Sequence, residues 1–381
     1  MAEKKKLLYV VRYALDEPFN LKNKFDGQLC AFRNLGWDVY HLAYDKSHFY
    51  LMHDGKKNVV GKTCFRFPMY AHTLLYRDMY ALATKVVKEY DIDCVYWRSA
   101  PCWYSACRLA QTVHDKNGTL IYEYPTYPVS REKQRSIPRV VFSLYSSVWH
   151  KKIDDLADGF VLIGEDAHGV YNGKTAVNIS NGICLETIPE RKPQTDAGTI
   201  HILALASMSY WHGYDRLIRS LAAYKGGRNV KIHMVGGNDG GSLPEWKVLA
   251  ARLGLEDQVI FHGQKSGAAL DEMFDICDIG VNSLGMYRKD FSVTSELKTR
   301  EYAARGLPFV CSVDDDALRY ADEPMWLRVA NDDSIPDMEE IVDFALRMRA
   351  DGETVQKLRA YAAEHLTWES QYREVFAKLE K

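Results

Sequence analysis

The chain has 381 residues, which is too long for one ordinary hydrophobic core and fits two α/β domains. Hydrophobic residues make up 47% and charged residues 26%, as in globular proteins, and no apolar run approaches the ~20 residues that a membrane span needs. The net charge of −2 argues against nucleic acid as the main ligand. Residues 1–190 carry +4 and the rest −6, which indicates an anionic partner for the first half.

The N-terminal sequence and the cysteines favour a cytoplasmic protein. The charged start leads directly into a short apolar stretch, 7–11, which predicts a first strand and is too short for the core of a signal peptide. The eight cysteines are scattered without a C-x-x-C pair, and no cluster has the spacing of a structural zinc site. This usage predicts reduced, buried thiols.

Strand-like apolar runs alternate with helical periodicity along the first half of the chain. The predicted strands are 7–11, 39–42, 92–97, 120–122 and 160–163, and the predicted helices lie near 27–35, 75–86, 102–113 and 138–157. This alternation is typical of a parallel sheet with crossover helices. A polar stretch with proline and glycine, 190–198, then predicts a linker.

The alternation resumes after the linker. The predicted strands are 200–205, 230–235, 259–261, 279–282 and 308–311, with helices near 213–224, 243–253, 267–275 and 297–305 and further helix from about 335 onward. The predicted fold class is therefore α/β, with two Rossmann-like, doubly wound domains, 1–189 and 199–365, facing a central cleft. In such sheets ligands bind beyond the carboxyl ends of the strands, so the loops there are expected to carry the chemistry.

The glycines do not follow the pattern of a dinucleotide-binding oxidoreductase. That fingerprint places G-x-G-x-x-G directly after a strand, whereas the first predicted strand here is followed by Arg12-Tyr13-Ala14-Leu15. A glycine-rich turn, 236–241, follows the strand 230–235 with a different spacing. Its backbone N–H groups at a helix start can bind phosphate, and a plain flexible loop fits the same residues.

Residues 278–312 combine a strand end, a basic loop and a predicted helix start. Arg288 and Lys289 lie in the loop, and Thr294 or Ser295 is positioned to cap the helix. A positive helix N-terminus supports a site for a diphosphate at this point.

Two side chains in the first turns of this helix strengthen that interpretation. Lys298 adds a cation to the diphosphate site, and Glu301 can accept hydrogen bonds from two ribose hydroxyls. Gly306 and Pro308 end the helix and start the next strand. A capped, salt-bridged surface helix explains the same residues equally well.

The pattern Ser295-x-x-Lys298-x-x-Glu301-Tyr302-x-Ala304-x-Gly306-x-Pro308 resembles the donor-site helix of the GT-B glycosyltransferases, specifically of family GT4. Other segments resemble that family in the same order along the chain. They are Asn181-Gly182-Ile183, Trp211-His212-Gly213-x-x-x-Leu217-Ile218, Val235-Gly236-Gly237, Phe261-x-Gly263-Gln264 and Thr367-Trp368-Glu369. The last one is similar to the start of a C-terminal helix, 366–381, that crosses back to the N-terminal domain.

The resemblance implies a glycosyltransferase of polysaccharide biosynthesis. It would move a sugar from a nucleotide-sugar, a UDP- or GDP-sugar, to a saccharide or lipid-linked saccharide, with retention and without a metal or another cofactor. His212 and Lys298 are implied to be catalytic. The implied donor-binding residues are Ser207, Trp211, Gly213, Gly236, Gly237, Asn238, Gln264, Arg288, Lys289, Ser295 and Glu301.

The chain departs from the family pattern at three positions of the donor site. Val293 stands where the family often has a glutamate that binds the sugar, and Ser207 and His212 stand where it has the arginine and lysine that bind the diphosphate. The cations expected to replace them are Arg288, Lys289, Lys298 and a protonated His212.

The acceptor is expected at two loops of the first domain. Arg12, Asn23 and Lys24 belong to the loop after the first strand or to the start of the next helix, where a solvated loop is the alternative. Tyr127 can stack on a sugar ring. Glu123 can orient or deprotonate an acceptor hydroxyl as a catalytic base, or it can be the structural partner of a nearby helix end.

Residues 131–152 interleave basic and aromatic side chains. Such a segment can lie on an anionic bilayer, which would make the protein peripheral to the inner face of the membrane, and a core helix with a basic entry loop is the alternative. Two other functions fit the same fold. These are a nucleotide-sugar 2-epimerase and a non-catalytic protein that binds sugar nucleotides.

Overall fold

A computed structural model describes residues 4–16, 21–67, 70–127, 137–164, 167–194, 196, 198–238, 240–318 and 325–380, with side chains excluded at 137–141. The chain divides into two compact units. The first unit comprises Met1–Gly182 and Trp368–Lys381, and the second unit comprises Ile183–Thr367. The sequence predicts these boundaries at 189/190 and 365/366, which lie seven residues after and two residues before the divisions of the structure.

The first unit is built on one large sheet. Its elements are β1 (Lys6–Ala14), α1 (Lys22–Asn34), β2 (Asp38–Tyr44), β3 (His48–His53), β4 (Lys56–Lys62), α2 (Leu74–Tyr90), β5 (Cys94–Arg98), α3 (Tyr104–Asp115), β6 (Thr119–Tyr127), α4 (Ile137–Leu156), β7 (Gly159–Gly164), β8 (Val170–Tyr171) and β9 (Lys174–Ile179), with the last helix of the chain. Among the described residues the strand order is β4-β3-β2-β1-β5-β6-β7-β9-β8. The strands from β2 to β9 in this order are parallel, while β3, β4 and β8 pair antiparallel at the two edges.

Alternate residues of β1 bury opposite faces of this sheet. Leu8 and Val10 pack with α2, α3 and α4, whereas Leu7, Tyr9 and Val11 pack with α1 and the C-terminal helix. A strand that is buried on both faces has a continuous apolar sequence, which explains the run at 7–11.

The second unit repeats the α/β plan on a smaller sheet. Its elements are β10 (Thr199–Leu205), α5 (Tyr214–Ala223), β11 (Asn229–Val235), α6 (Leu243–Arg252), β12 (Val259–Gly263), α7 (Ala268–Ile276), β13 (Ile279–Val281), β14 (Val293–Thr294), α8 (Leu297–Arg305), β15 (Phe309–Cys311), β16 (Asp314–Asp315), β17 (Trp326–Arg328), α9 (Met338–Ala350) and α10 (Thr354–Tyr361); α11 (Trp368–Leu379) then belongs to the first unit. In the described part the main sheet is parallel with the order β12-β11-β10-β13-β15-β17. The predicted α/β class with two Rossmann-like domains is confirmed.

Two hairpins were not predicted. The β3–β4 hairpin turns at Asp54-Gly55, with φ of 47° and 71°, and the β8–β9 hairpin turns at Asn172-Gly173, with φ of 49° and 71°. Asp-Gly and Asn-Gly favour the two-residue turns in which both φ angles are positive. The signal was therefore present in the sequence.

The predicted linker is attached to the second unit in its described residues. The backbone N–H groups of Arg191 and Gln194 donate to the carbonyls of Arg305 and Asp275, at 2.9 and 2.8 Å. The N–H of Lys192 donates to the Asp275 carboxylate at 2.7 Å. The predicted linker lacks sequence periodicity, but its backbone is nevertheless held by hydrogen bonds to the second unit.

The cysteines are all free thiols. The prediction of burial is confirmed for Cys94, Cys102, Cys277 and Cys311, and burial raises the pKa of each of these thiols. It is wrong for Cys64, which is exposed because it lies just after the edge strand β4.

Three histidines form a hydrogen-bonded row across β10, β11 and β12. Nδ1 of His201 lies 2.8 Å from Nε2 of His233, and Nδ1 of His233 lies 2.9 Å from Nε2 of His262. Each of the two contacts holds one proton, and the third proton of the neutral row lies on a ring nitrogen at one end. The nitrogen at the other end can accept one more proton, and any further proton would break a hydrogen bond. Burial lowers the pKa of His233 to about 4, and the neighbouring His201, His262 and Lys231 add to this effect.

We expect His233 to make the protein sensitive to acid. Its folded pKa of about 4 lies below its ordinary value of 6.5, so the unfolded chain binds a proton more readily and stability falls as the pH falls from about 6.5 to about 4. By pH 5.0 the loss amounts to about 2 kcal/mol. In urea denaturation, His233→Gln should lose less stability than wild type between pH 7.5 and 5.0. The exposed His72→Gln is the control, and an unchanged pH dependence in His233→Gln would contradict the assignment.

Candidate functional site

The order of strands in the second unit reverses between β10 and β13. A ligand of a doubly wound sheet binds at such a reversal, beyond the carboxyl ends of the strands. The loops 206–213 and 282–296 leave β10 and β13 at this point. They are joined by a hydrogen bond from the N–H of Leu284 to the carbonyl of His212, at 2.8 Å.

Gly213 permits the close approach of the two loops. Its φ of 64° is in the left-handed region, and a Cβ atom there would lie 2.5 Å from the N atom of Gly285 and 2.7 Å from the carbonyl carbon of Leu284. A side chain at this position is thus opposed by both conformation and space. Gly236 has a structural reason as well, because its φ is 142° and a Cβ atom there would overlap the carbonyl oxygen of Ala206.

Tyr214 connects the ends of both strands to Lys298. The Tyr214 hydroxyl lies 3.2 Å from the carbonyl oxygens of Leu205 and Val281, the last residues of β10 and β13. The ammonium of Lys298 donates to the same hydroxyl at 3.3 Å and to Oγ of Ser283 at 3.0 Å. The predicted Lys298 therefore lies directly at the strand reversal.

The ammonium of Lys298 is largely buried and lies close to a carboxylate. Its side chain is 11% exposed, and its ammonium is 3.8 Å from a carboxylate oxygen of Glu296. Burial lowers the pKa of Lys298, while the charges of Glu296 and Asp315 oppose that shift. An added anion would stabilise the charged ammonium further.

A buried ion pair holds the start of α8. The Arg300 guanidinium contacts the carboxylates of Asp315, at 2.7 Å, and Asp316. The second oxygen of Asp315 accepts from Oγ1 of Thr299 at 2.6 Å and from the N–H of Glu296 at 3.2 Å. Arg300, Thr299 and Asp315 were not predicted to matter, since only the fold brings the last of them to this helix.

The predicted helix cap is wrong. The N-cap residue of α8 is Glu296, and its side chain makes no capping hydrogen bond. Thr294 lies instead in β14, which pairs with β16 at Asp314 and Asp315. The side chain of Thr294 is therefore directed by strand pairing, and the backbone N–H of Glu296 is satisfied by Asp315.

His212 is held in one orientation by its own turn. Its Nδ1 accepts a hydrogen bond from the N–H of Ser209 at 2.9 Å. Burial lowers the pKa of His212 to about 2, and the charges of Lys298 and Lys289 contribute. The expectation of a protonated His212 is thereby corrected, because the ring is neutral at physiological pH.

The two predicted loop cations have different surroundings. Lys289 is exposed, with its ammonium 3.5 Å from the centre of the Trp211 ring. Arg288 is bound to both carboxylate oxygens of Asp215, at 2.9 and 2.8 Å, and to the carbonyl of Tyr210 at 2.7 Å. The Asp215 hydrogen bonds raise the pKa of Arg288, so this guanidinium is already neutralised by a carboxylate that the sequence did not reveal as its partner.

The glycine-rich turn uses several backbone donors within the protein. The N–H groups of Gly236, Gly240 and Gly241 donate to the carbonyls of Gly263, Ser207 and Asn238, at distances from 2.9 to 3.0 Å. Oδ1 of Asn238 accepts from the N–H of Leu243 at the start of α6. These contacts reduce the capacity of the turn to bind phosphate through its backbone.

The remaining donor-site candidates lie around the same edge. Gly237 is partly buried, and Gln264 is exposed directly after β12. Ser295 precedes α8. Glu301, on the second turn of α8, accepts from Nε of Arg305 at 3.2 Å, and burial raises its pKa while Arg305 opposes the shift.

Glu123 is fully buried inside the first unit. One carboxylate oxygen contacts the Arg98 guanidinium, and the other accepts from the hydroxyl of Tyr96 at 2.6 Å and from Nε2 of Gln28 at 3.3 Å. Nε2 of Gln28 also donates to the hydroxyl of Tyr372 on α11, at 2.5 Å. These partners are side chains of β5 and α1 and not the helix end of the structural alternative, and a catalytic role of Glu123 stays a prediction.

The predicted acceptor residues lie near the carboxyl ends of β1 and β6. Nε of Arg12 donates to the Tyr44 hydroxyl at 2.8 Å, and the ammonium of Lys24 donates to Oδ1 of Asn181 at 2.6 Å. Asn23 is exposed on the first turn of α1. Tyr127 ends β6 and packs edge-on against Tyr171.

The helices α3 and α4 present an apolar and basic surface. We define this α3–α4 surface as Tyr104, Leu144, Tyr145 and Val148 with Arg108, Lys151 and Lys152, all of which are exposed. Residues 131–136 of the predicted segment lie outside the described residues. No helix in the part that the structure describes is long and apolar enough to cross a membrane.

Histidine, cysteine and carboxylate side chains are the usual ligands of a metal ion in a protein. Within the described ranges, no group of three or more could hold a metal ion.

We expect Gly213→Ala to destabilise the protein more than Gly254→Ala. Both glycines have nearly the same φ, 64° and 68°, but a Cβ has free space at Gly254 and meets backbone at Gly213. The left-handed conformation alone costs about 1–2 kcal/mol for alanine, and displacement of Gly285 should add at least about 1 kcal/mol. Urea denaturation of both variants measures the difference, and equal losses would show that the close approach carries no energy.

Comparison with known proteins adds a family for part of the second unit. Residues 187–317 match the family model of the glycosyl transferases group 1, a stretch that covers less than half of the chain. It includes the donor-site candidates from Ser207 to Glu301. No curated protein sequence matches the chain.

Solved structures match the whole chain in fold. Sucrose-phosphate synthase from Thermosynechococcus elongatus has a TM-score of 0.61 and 16% identity, over 98% of this chain and 100% of that one. A glycosyltransferase from Rickettsia africae has a TM-score of 0.63 and 13% identity, over 98% and 97%. Alr3699/HepE from Anabaena, in complex with UDP, has a TM-score of 0.61 and 12% identity, over 98% and 100%.

These similarities agree with the architecture of both units. At such low identities the solved structures establish the fold and leave the reaction open. Residues 187–317 match the group 1 glycosyl transferases, and the chain as a whole has the α/β fold of the GT-B glycosyltransferases, with two Rossmann-like domains.

Proposed function

We propose that the protein is a glycosyltransferase that takes a sugar from a nucleotide-sugar donor. Two findings support this function. The group 1 family match includes the donor-site candidates, and the GT-B relatives include a protein solved with UDP and with UDP-glucose. UDP-sugars are accordingly the first donors to test, with GDP-sugars as the alternative.

The observation that carries the proposal is the position of Lys298. Its ammonium lies at the strand reversal, on the first turn of α8, and donates to Tyr214 and Ser283. A diphosphate at this helix N-terminus would receive a hydrogen bond and a charge from Lys298. Negative charge grows on the diphosphate as the glycosidic bond breaks, so cations held at this point lower the barrier to transfer.

The exposed Lys289 is proposed as the second cation of the diphosphate site. Arg288 is assigned a different role, because its pair with Asp215 and its bond to the Tyr210 carbonyl hold the turn that carries Trp211. Glu301 is proposed to accept the ribose hydroxyls of the nucleotide. In this proposal the leaving group is stabilised without a metal, and the sugar is transferred with retention to a saccharide or lipid-linked saccharide.

We expect nucleotides to stabilise the wild-type protein against heat. The same nucleotides should not stabilise the Lys298→Met variant. A ligand at 100 times its dissociation constant contributes about 2.7 kcal/mol, which raises the melting temperature by several degrees. A panel of UDP, GDP, ADP and their common sugar conjugates identifies the base. Glu301→Ala should also bind more weakly, whereas Lys357→Met, at a lysine that is paired with Asp351 and Glu353, is the control.

The same panel can contradict the proposal. If none of the nucleotides stabilises the wild-type protein, the donor site is refuted. If a nucleotide does bind, analysis of the reaction products separates the remaining alternatives. A nucleotide-sugar 2-epimerase converts the donor without an acceptor, and a non-catalytic binding protein leaves the donor intact with every acceptor.

A second proposal concerns the α3–α4 surface. We propose that it contacts an anionic membrane at the cytoplasmic face, which would bring a lipid-linked acceptor to the enzyme. Leu144, Tyr104 and Val148 are 65%, 57% and 56% exposed, and the exposed Arg108, Lys151 and Lys152 belong to the same two helices. Exposed apolar side chains with adjacent cations suit the interface of an anionic bilayer.

We expect the double variant Leu144→Glu/Val148→Glu to lose binding to vesicles that contain phosphatidylglycerol. Two carboxylates would oppose both the apolar contact and the attraction to the anionic lipid. Co-sedimentation with these vesicles and with neutral phosphatidylcholine vesicles measures the effect. Val248→Glu, at an equally exposed valine of α6, is the control. Wild-type protein that stays in the supernatant with both vesicles would rule out the membrane contact.

A further inference from the structure

The hydrogen bond between Ser209 and His212 fixes the tautomer of the His212 ring. Nδ1 lies 2.9 Å from the backbone N of Ser209, and a backbone N–H can only donate. Nδ1 must therefore supply the lone pair. The single proton of the neutral ring then resides on Nε2, which is a hydrogen-bond donor.

The neighbouring rings hold the imidazole in place. The Tyr214 ring is stacked on it, with centroids 5.9 Å apart and an interplanar angle of 22°. The Trp211 ring is tilted against it at the same separation. Within the described part of the chain, no group accepts a hydrogen bond from Nε2. The donor is thus oriented but has no protein acceptor.

The charged groups around His212 oppose a second proton on the ring. Lys298 of α8 and Lys289 of the loop after β13 are both positive and both act on the imidazole. Two acidic side chains of the neighbouring elements are already paired with cations, while Asp290, beside Lys289, is exposed. Asp215 of α5 binds Arg288, and Glu296 lies 3.8 Å from the Lys298 ammonium. Protonation of Nδ1 would also break the hydrogen bond from Ser209.

We propose that His212 binds the diphosphate of the donor as a neutral hydrogen-bond donor, through Nε2–H, between the ammonium groups of Lys289 and Lys298. The proposal rests on the proposed glycosyltransferase function and adds the protonation state of this residue. The GT4 pattern has a lysine at the position of His212. In this protein the His212 ring would donate an oriented hydrogen bond without a charge, and the two lysines would supply the positive charge.

If His212 binds the diphosphate as a neutral ring, it takes up no proton when UDP binds. UDP itself titrates near neutral pH, so wild type must be compared with a variant that keeps the donor and cannot be protonated. His212→Gln meets this requirement, because its amide N–H₂ reaches a similar position to Nε2. His212→Leu removes the donor and keeps an apolar side chain of similar size.

Calorimetry of UDP binding at pH 6.0 and 7.5, in buffers of different ionisation enthalpy, measures both the affinity and the protons taken up. We expect wild type and His212→Gln to take up equal numbers of protons and to bind UDP within about threefold of each other. His212→Leu should bind about tenfold more weakly, the equivalent of one hydrogen bond of about 1.4 kcal/mol. Uptake of more protons by wild type than by His212→Gln would overturn the neutral donor.

Two further results would also be decisive. Equal affinities of wild type and His212→Leu would show that Nε2–H does not touch the diphosphate, while nucleotide binding and the proposed function would stand. If wild type binds neither UDP nor the other nucleotides of the panel, the proposed function and the role of His212 both fail.

Nitrogen NMR of protein with labelled histidine rings tests the tautomer directly. The His212 signals are assigned by their absence in His212→Gln. We expect the Nε2–H form between pH 5.5 and 8.0, with and without UDP, and a shift of the Nε2 resonance when UDP is added. A doubly protonated ring in the UDP complex would overturn the inference, even if the fold of every variant is unchanged.

Discussion

The buried pair of Arg300 and Asp315 is the constraint on which the candidate site depends. Both side chains are almost fully excluded from solvent, at 0% and 1% exposure. Removing one partner of such a pair leaves an unpaired buried charge and typically costs about 3–5 kcal/mol. Asp315 also binds Thr299 and the N–H of Glu296, so it fixes the first turn of α8. The N-terminus of the helix and Lys298 are held at the strand reversal as a consequence.

The site combines this fixed helix with a tightly packed turn after β10. Gly213 lets the turn approach the backbone of the loop after β13, and Tyr214 joins the two strand ends to Lys298. The turn partly buries His212, which makes a charged imidazole costly. The charge of Arg288 is balanced by its ion pair with Asp215. The candidate site therefore has fewer available cations than the sequence indicates. Its hydrogen-bond donors are held in fixed orientations by the surrounding structure.

Much of the fold follows from local sequence patterns. Alternating apolar runs and helical periodicity predicted the parallel strands, and the predicted helix 297–305 coincides with α8, because Gly306 adopts the left-handed conformation that ends it. The edge hairpins were missed although Asp54-Gly55 and Asn172-Gly173 carry their turn signal. The helix cap at Thr294 or Ser295 was wrong because pairing of β14 with β16 overrides the local preference.

The sequence by itself determined the α/β class, the two Rossmann-like domains and the segments from which the candidate site is built. Only the tertiary structure decided what each side chain can do. Arg288 meets Asp215, Glu123 is buried against Arg98, and His212 becomes neutral beside Ser209. Periodicity and capping act within a few residues of the chain and are readable from it. Burial and charge pairing join residues far apart in sequence, and they set protonation and availability only once the chain has folded.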